Sequence, residues 1–151
     1  MSDFGAAIII PGHVQAVVLR SVLQKASSSR FEFAIFHRAE PRLTMLLSLD
    51  TRLRDDDSDR QGALIEALAV ANACEVIGVV CFWTVMLKAY AHDETGRWAW
   101  SEMGTSTEGN FALPFEVVGQ KLGLAPGELG LQLRGKPALE PDPRWWQPLS
   151  S

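Results

Sequence analysis

The chain has 151 residues, 47% of them hydrophobic and 21% charged, with 14 basic against 18 acidic side chains. That balance excludes intrinsic disorder, which needs low hydrophobicity and high net charge, and a net charge of −4 without a run of Lys or Arg argues against nucleic acid as a partner. The length suits one domain that buries roughly 70% of the surface its unfolded chain exposes, with no need of disulfide or metal staples.

The opening M-S-D-F-G-A-A-I-I-I-P carries an acid where a secretory signal would carry positive charge, and its apolar stretch is short for a signal core. The longest apolar run in the chain is about twelve residues, against the roughly twenty that span a bilayer. A soluble, cytoplasmic protein with no membrane partner is the expectation. Ala6 to Ile10 reads as a brief edge strand ended by Pro11-Gly12. From His13 to Ala26, Val14, Val18 and Val22 recur with Leu19 and Leu23 at helical spacing, opposite Gln15, Arg20 and Gln24, and the serines at 27 to 29 stop that helix.

Phe31 to Arg38 and Arg42 to Leu49 both alternate, with Pro41 in the short connection, and so predict a hairpin. Phe33, Ile35 and His37 share one face with Thr44, Leu46 and Ser48; Ala34 and Phe36 share the other with Leu43, Met45 and Leu47. The polar stretch R-L-R-D-D-D-S-D-R-Q-G follows. Ser58 and Gln61 stand at the spacing of a capping box, and Leu64, Ile65 and Leu68 form the stripe of a helix that ends near Ala73. The same stretch admits a weak calcium reading. Asp55, Asp57, Asp59 and Glu66 fall at positions one, three, five and twelve of an EF-hand-like loop, but the sixth, where glycine is needed, is Arg60.

Val76 to Trp100 is the most strongly patterned stretch. Its valines, isoleucine and aromatics predict one long strand, a turn at H-D-E-T-G and a return strand through R-W-A-W. With His92 to Gly96 as the loop, Tyr90 lies opposite Trp98, Lys88 opposite Trp100 and Met86 opposite Glu102. Phe82, Met86, Lys88, Tyr90, Trp98 and Trp100 then share one face, and Trp83, Val85, Leu87, Ala89 and Ala99 the reverse, which is the smoother surface for helices to cover. A bulge at Gly96 would shift this register by one.

Pro114 opens a third helix that Gly123 ends, and Leu131 to Leu133 suggests a short strand. The Pro-rich segment 136–151 cannot be regular helix or central strand, and Trp145 and Trp146 predict that it lies along the body. The expected domain plan is thus one α+β domain over 1–135 with a packed tail over 136–151. The fold class is α+β: an antiparallel sheet of four to five strands, helices mainly on one face, in the ferredoxin-like β-α-β-β-α-β order with a further strand, helix and tail. Two α-β-β units in tandem are the alternative if the first strand is not formed.

Chemistry-bearing residues are sparse. Cys74 and Cys81 form no CxxC pair and read as buried thiols of a reducing compartment. His13, His37 and His92 share no metal-ligand spacing, no G-x-S-x-G elbow is present, and neither a cofactor nor a metal is implied. The leading expectation is therefore a binding protein that meets a protein partner, or a second copy of itself as a homodimer, through the aromatic face, in the manner of an inhibitor, an immunity or antitoxin-like protein or an assembly factor. The alternative is a small-molecule-binding protein or enzyme with a pocket between sheet and tail, lined by Tyr90, Trp98, Trp100 and His37 or His92. A calcium-responsive regulator acting through the 55–66 loop is the third.

Overall fold

The computed structural model describes residues 2–26, 33–48, 52–53, 57–82, 86–125, 127–134 and 138–149. In chain order these form β1 (Ser2–Pro11), α1 (Ala16–Ala26), β2 (Phe33–Arg38), β3 (Leu43–Ser48), β4 (Arg52–Leu53), α2 (Asp57–Asn72), β5 (Val76–Phe82), β6 (Met86–His92), β7 (Trp98–Thr105), α3 (Leu113–Lys121), β8 (Leu131–Arg134), β9 (Ala138–Pro141) and β10 (Gln147–Pro148). The protein is α+β, with an antiparallel sheet of seven strands in the order β10-β2-β3-β1-β5-β6-β7, β4 paired to the start of β1, and a separate β8–β9 hairpin. Among the described residues no helix is long and apolar enough to cross a membrane.

β1 is the centre of the sheet rather than a brief edge strand. It pairs antiparallel with β3 on one side, Ile8 opposite Leu46, and with β5 on the other, Ile8 opposite Gly78. An unbroken A-A-I-I-I run suits that position because both faces of a central strand are buried. Ala7 and Ile9 enter one hydrophobic cluster and Ala6, Ile8 and Ile10 the other. The β2–β3 hairpin pairs Phe33 with Ser48 through Arg38 with Leu43, the register that its alternation gives.

The stretch from Val76 makes three strands where the sequence suggests two. β5 and β6 pair from Val76 opposite His92 to Phe82 opposite Met86, so the chain doubles back between them. No glycine, proline or asparagine marks that reversal, and an uninterrupted apolar run reads as one strand. The extra strand, together with β10, lengthens the sheet beyond the four to five expected.

Of the three described helices two share one face of the sheet, and the third lies on the other. Leu19 of α1 and Leu64, Ile65, Leu68 and Ala69 of α2 pack on the face that carries Ile8, Ile10 and Tyr90. Val118 of α3 packs on the opposite face with Ile9, Met45, Leu87 and Ala89. The C-terminal segment covers that second face too, with Leu129, Leu131, Leu139 and Trp146 in the same cluster. Trp146 is 1% exposed and its indole N–H donates to the Leu129 carbonyl at 2.9 Å. The Arg38 guanidinium lies 4.6 Å from the Trp145 ring and 5.7 Å from that of Trp146. β10 then extends the sheet beside β2, with Pro148 on the edge strand, where a missing N–H costs no central ladder bond.

Candidate functional site

The site begins at a glycine. Gly78 stands opposite Tyr90 in the β5–β6 pairing, and a Cβ there would lie 2.4 Å from the tip of Ile65 and 3.0 Å from the Tyr90 ring. Lacking one, it lets the phenol ring and the α2 side chain settle against the sheet, a close approach of the kind that glycine marks inside a strand. Tyr90 is consequently buried, and burial raises its phenol far above the usual range, so the ring keeps its proton.

Trp98 stacks on that ring, centroids 5.6 Å apart and planes 8° from parallel, and is itself 53% exposed. The β6–β7 turn sets its position. The Asp93 carboxylate accepts from the Thr95 and Arg97 amides at 2.9 and 3.1 Å, while the His92 Nδ1–H donates to the Gly96 carbonyl at 2.9 Å. With Nδ1 as the donor, Nε2 of neutral His92 is an acceptor. Its ring meets both Tyr90 and Trp98 edge to face.

Between this aromatic stack and α2 a groove of about 570 Å³ opens, lined by Gln61, Gly62, Ala63 and Glu66 of α2 and by Val80, Met86, Lys88, Tyr90, His92, Trp98 and Met103 of the sheet. Gly62 and Ala63 leave the space, since larger side chains there would fill it. Lys88 lies over two ring faces, its ammonium 5.6 Å from the Tyr90 centroid and 5.5 Å from that of Trp98. Gln61 is 5% exposed, and its Nε2 has no hydrogen-bond partner among the described residues.

Four of the six sequence candidates thus gather at one place: Met86, Lys88, Tyr90 and Trp98. Trp100 does not. The register slips between Ala91 and His92, so that His92 faces Trp98 but Ala91 faces Trp100, with Ala99 inserted between. One inserted residue sends every later side chain to the other face. Trp100 therefore lies on the α3 side, half-buried, its indole N–H donating to Glu75 at 2.8 Å and its ring beneath Lys121. Met103, opposite Lys88, takes the groove-side position that the regular register denied it. The slip lies across Ala99 and not at Gly96. Phe82 closes β5 opposite Met86, and its side chain lies outside the described set.

Neither the tail nor α3 covers the groove, because both lie on the opposite face, and the cavity sits between sheet and α2 instead of between sheet and tail. Gln61, with Gly62 and Ala63, escaped the sequence reading as a groove residue because its spacing from Ser58 suggests a cap. α2 starts at Asp57, so Ser58 lies within its first turn. For the calcium reading, Asp55 falls outside the described residues, while 57–66 belong to α2 and cannot form an EF-hand loop. Glu66 instead reaches the β6–β7 turn, where a Cβ on Gly96 would lie 3.0 Å from its Cγ. No cluster of metal ligands occurs among the described residues.

His13 and His37 come together although their spacing gives no sign of it. The rings stack at 4.3 Å, 2° from parallel, and each Nε2–H donates to a main-chain carbonyl, His13 to Arg38 at 2.7 Å and His37 to Val14 at 3.1 Å. The pair ties the β1–α1 connection to β2. A second, smaller cavity of about 410 Å³ lies between α3 and the 124–131 segment, lined chiefly by Phe115, Leu124 and Leu131, with no aromatic stack and no cation. Neither a protein-family model, nor a curated protein, nor a solved structure matches this chain.

Proposed function

We propose that the protein acts by binding, and that its recognition site is the groove between α2 and the β6–β7 end of the sheet. The observation that carries this reading is the half-exposed Trp98 held flat on a buried Tyr90 as the wall of a concavity. A ring in that position has apolar surface to offer, and a volume of about 570 Å³ falls in the range of small-molecule sites. Mostly apolar walls with a few convergent polar groups are what such sites use.

A fragment screen followed by 15N NMR tests it. Binders are expected to move the Trp98 indole resonance, assigned through Trp98→Phe, together with the Gly62 amide. Hits confined to Phe115 and Leu131 would put the site at the α3 cavity and end this proposal.

A protein partner, or a second copy of the chain, is the other reading, and β7 supports it. This strand ends the sheet, and its Trp98 and Met103 are 53% and 46% exposed, the combination that invites a further strand or an apolar partner surface. An inhibitor, an immunity-like protein or an assembly factor would use such an edge. Light scattering on the wild type and on Met103→Glu examines self-association: a dimer that the charge dissolves is the expected result, and a monomer at all concentrations removes the homodimer. For the fold itself, the succession β1-α1-β2-β3-α2-β5, interrupted only by the two-residue β4, with neighbours β2-β3-β1-β5 supports a ferredoxin-like unit to which β6, β7 and the C-terminal elements are added.

A further inference from the structure

We infer that the groove selects a planar aromatic carboxylate, a small molecule whose ring lies along the Trp98–Tyr90 wall and whose anionic group meets Lys88 and Gln61. The inference rests on the groove being a binding site and adds the chemistry of what enters it. Two observations point the same way. Among the described residues Lys88 makes no ion pair, and its ammonium lies over the faces of Tyr90 and Trp98. Gln61, 5% exposed, lines the same groove and keeps an amide N–H group without an acceptor among the described residues.

A cation without a counter-ion and a buried donor without an acceptor are satisfied together by one group, an anion with more than one acceptor oxygen. A neutral acceptor would satisfy Gln61 and leave Lys88 uncompensated. A second cation would be repelled by Lys88 and offers Gln61 nothing. The aromatic part of the ligand follows from the wall: stacked rings favour another planar π-system, offset or edge-on, over a saturated ring of equal area. Glu66 fixes the direction. It lies at the Gly96 end of the groove, five residues along α2 from Gln61, a rise of roughly 7.5 Å. A carboxylate placed beside it would meet a like charge, so the anion points toward Gln61 and the ring toward His92.

Isothermal titration of the whole chain with 2-naphthoate, 2-naphthamide and cyclohexanecarboxylate provides the test. The naphthoate is expected to bind about tenfold more tightly than either comparison, a ratio typical of one charge-assisted contact. Lys88→Met, which keeps the aliphatic stem over the rings, is expected to erase the preference for acid over amide. Gln61→Met should weaken the acid and leave the amide less affected, and Trp98→Ala should weaken both aromatic compounds. Dispersed one-dimensional NMR spectra establish that each variant is folded. If acid and amide bind alike, or if Lys88→Met leaves the preference intact, the anion assignment is overturned while the groove remains a binding site. If neither aromatic compound binds at millimolar concentration, or Trp98→Ala changes nothing, the groove itself loses its assignment and this inference goes with it.

Discussion

An amide donor that is buried without an acceptor costs about 1 to 3 kcal/mol, and Gln61 carries that cost at the edge of the core. Methionine has nearly the same length and no polar atoms to satisfy. Gln61→Met is therefore expected to raise the unfolding free energy by about 1 kcal/mol or more in urea denaturation, the sign that marks a position kept for recognition over stability. No change, or a loss, would show that the amide finds an acceptor in solution. Burial acts differently on the cysteines. It pushes the Cys81 thiol up to about 11, and it raises Cys74 too, with the Glu75 charge adding to the effect. Only the thiolate attacks, so a disulfide reagent at pH 8 is expected to modify the folded protein far more slowly than the urea-unfolded chain. Rapid labelling of the native protein at both positions would contradict that.

The β6–β7 turn decides where Trp98 points, and its chemistry gives it a pH dependence. Asp93 is held below the ordinary carboxylate value of 3.8, first by the Thr95 hydroxyl and then by the Thr95 and Arg97 amides. A carboxylate whose folded pKa is depressed contributes stability that is complete above its unfolded value and is lost as pH falls through the folded one. Below about pH 4, as Asp93 takes up its proton, the Trp98 indole resonance should therefore move with the loosening turn. Asp93→Asn is expected to shift it at neutral pH, and an unchanged spectrum would show that the turn does not need the carboxylate. The hairpin partners of this region were legible in the sequence only in part. The β2–β3 register follows from alternation because Phe36, Met45 and Leu46 pack on opposite sides of one buried layer. The turn near H-D-E-T-G is legible too, but not its pairing: Trp98 lies opposite His92 instead of Tyr90, and Tyr90, Lys88 and Met86 lie opposite Ser101, Met103 and Thr105 instead of Trp98, Trp100 and Glu102. The slip across Ala99 is not legible: a small residue between two tryptophans fits a regular strand as well as a bulged one, and one residue moves Trp100 to the far face and Met103 to the near one. Gln61 was hidden for another reason, since what makes it informative is a missing partner, which no sequence pattern records.

The sheet is buried on both sides, and the two sides divide the work: α1 and α2 leave the groove open on one, while α3, the β8–β9 hairpin and Trp146 seal the other. Stability and recognition should therefore separate under mutation. Trp146 is among the largest side chains that are wholly enclosed, it gives its N–H to Leu129, and it holds the C-terminal segment on which β10 and the Arg38 stacking depend. Trp146→Ala removes the ring and leaves a cavity that the β8–β9 hairpin can collapse into only partly, so a loss of about 3 to 5 kcal/mol is expected. That is a large share of the 5 to 15 kcal/mol typical of a domain. Trp98→Ala removes a ring with half its surface already in water, and its cost should stay below about 1.5 kcal/mol even though binding is lost. Urea denaturation of both variants, followed by far-ultraviolet circular dichroism so that the missing tryptophan does not alter the signal, reads the two values directly. Equal losses would mean that the Trp98–Tyr90 stack is part of the stabilising core, and the division between a sealed face and an open one would fail; a large difference in the stated order is what a sheet with one working face requires.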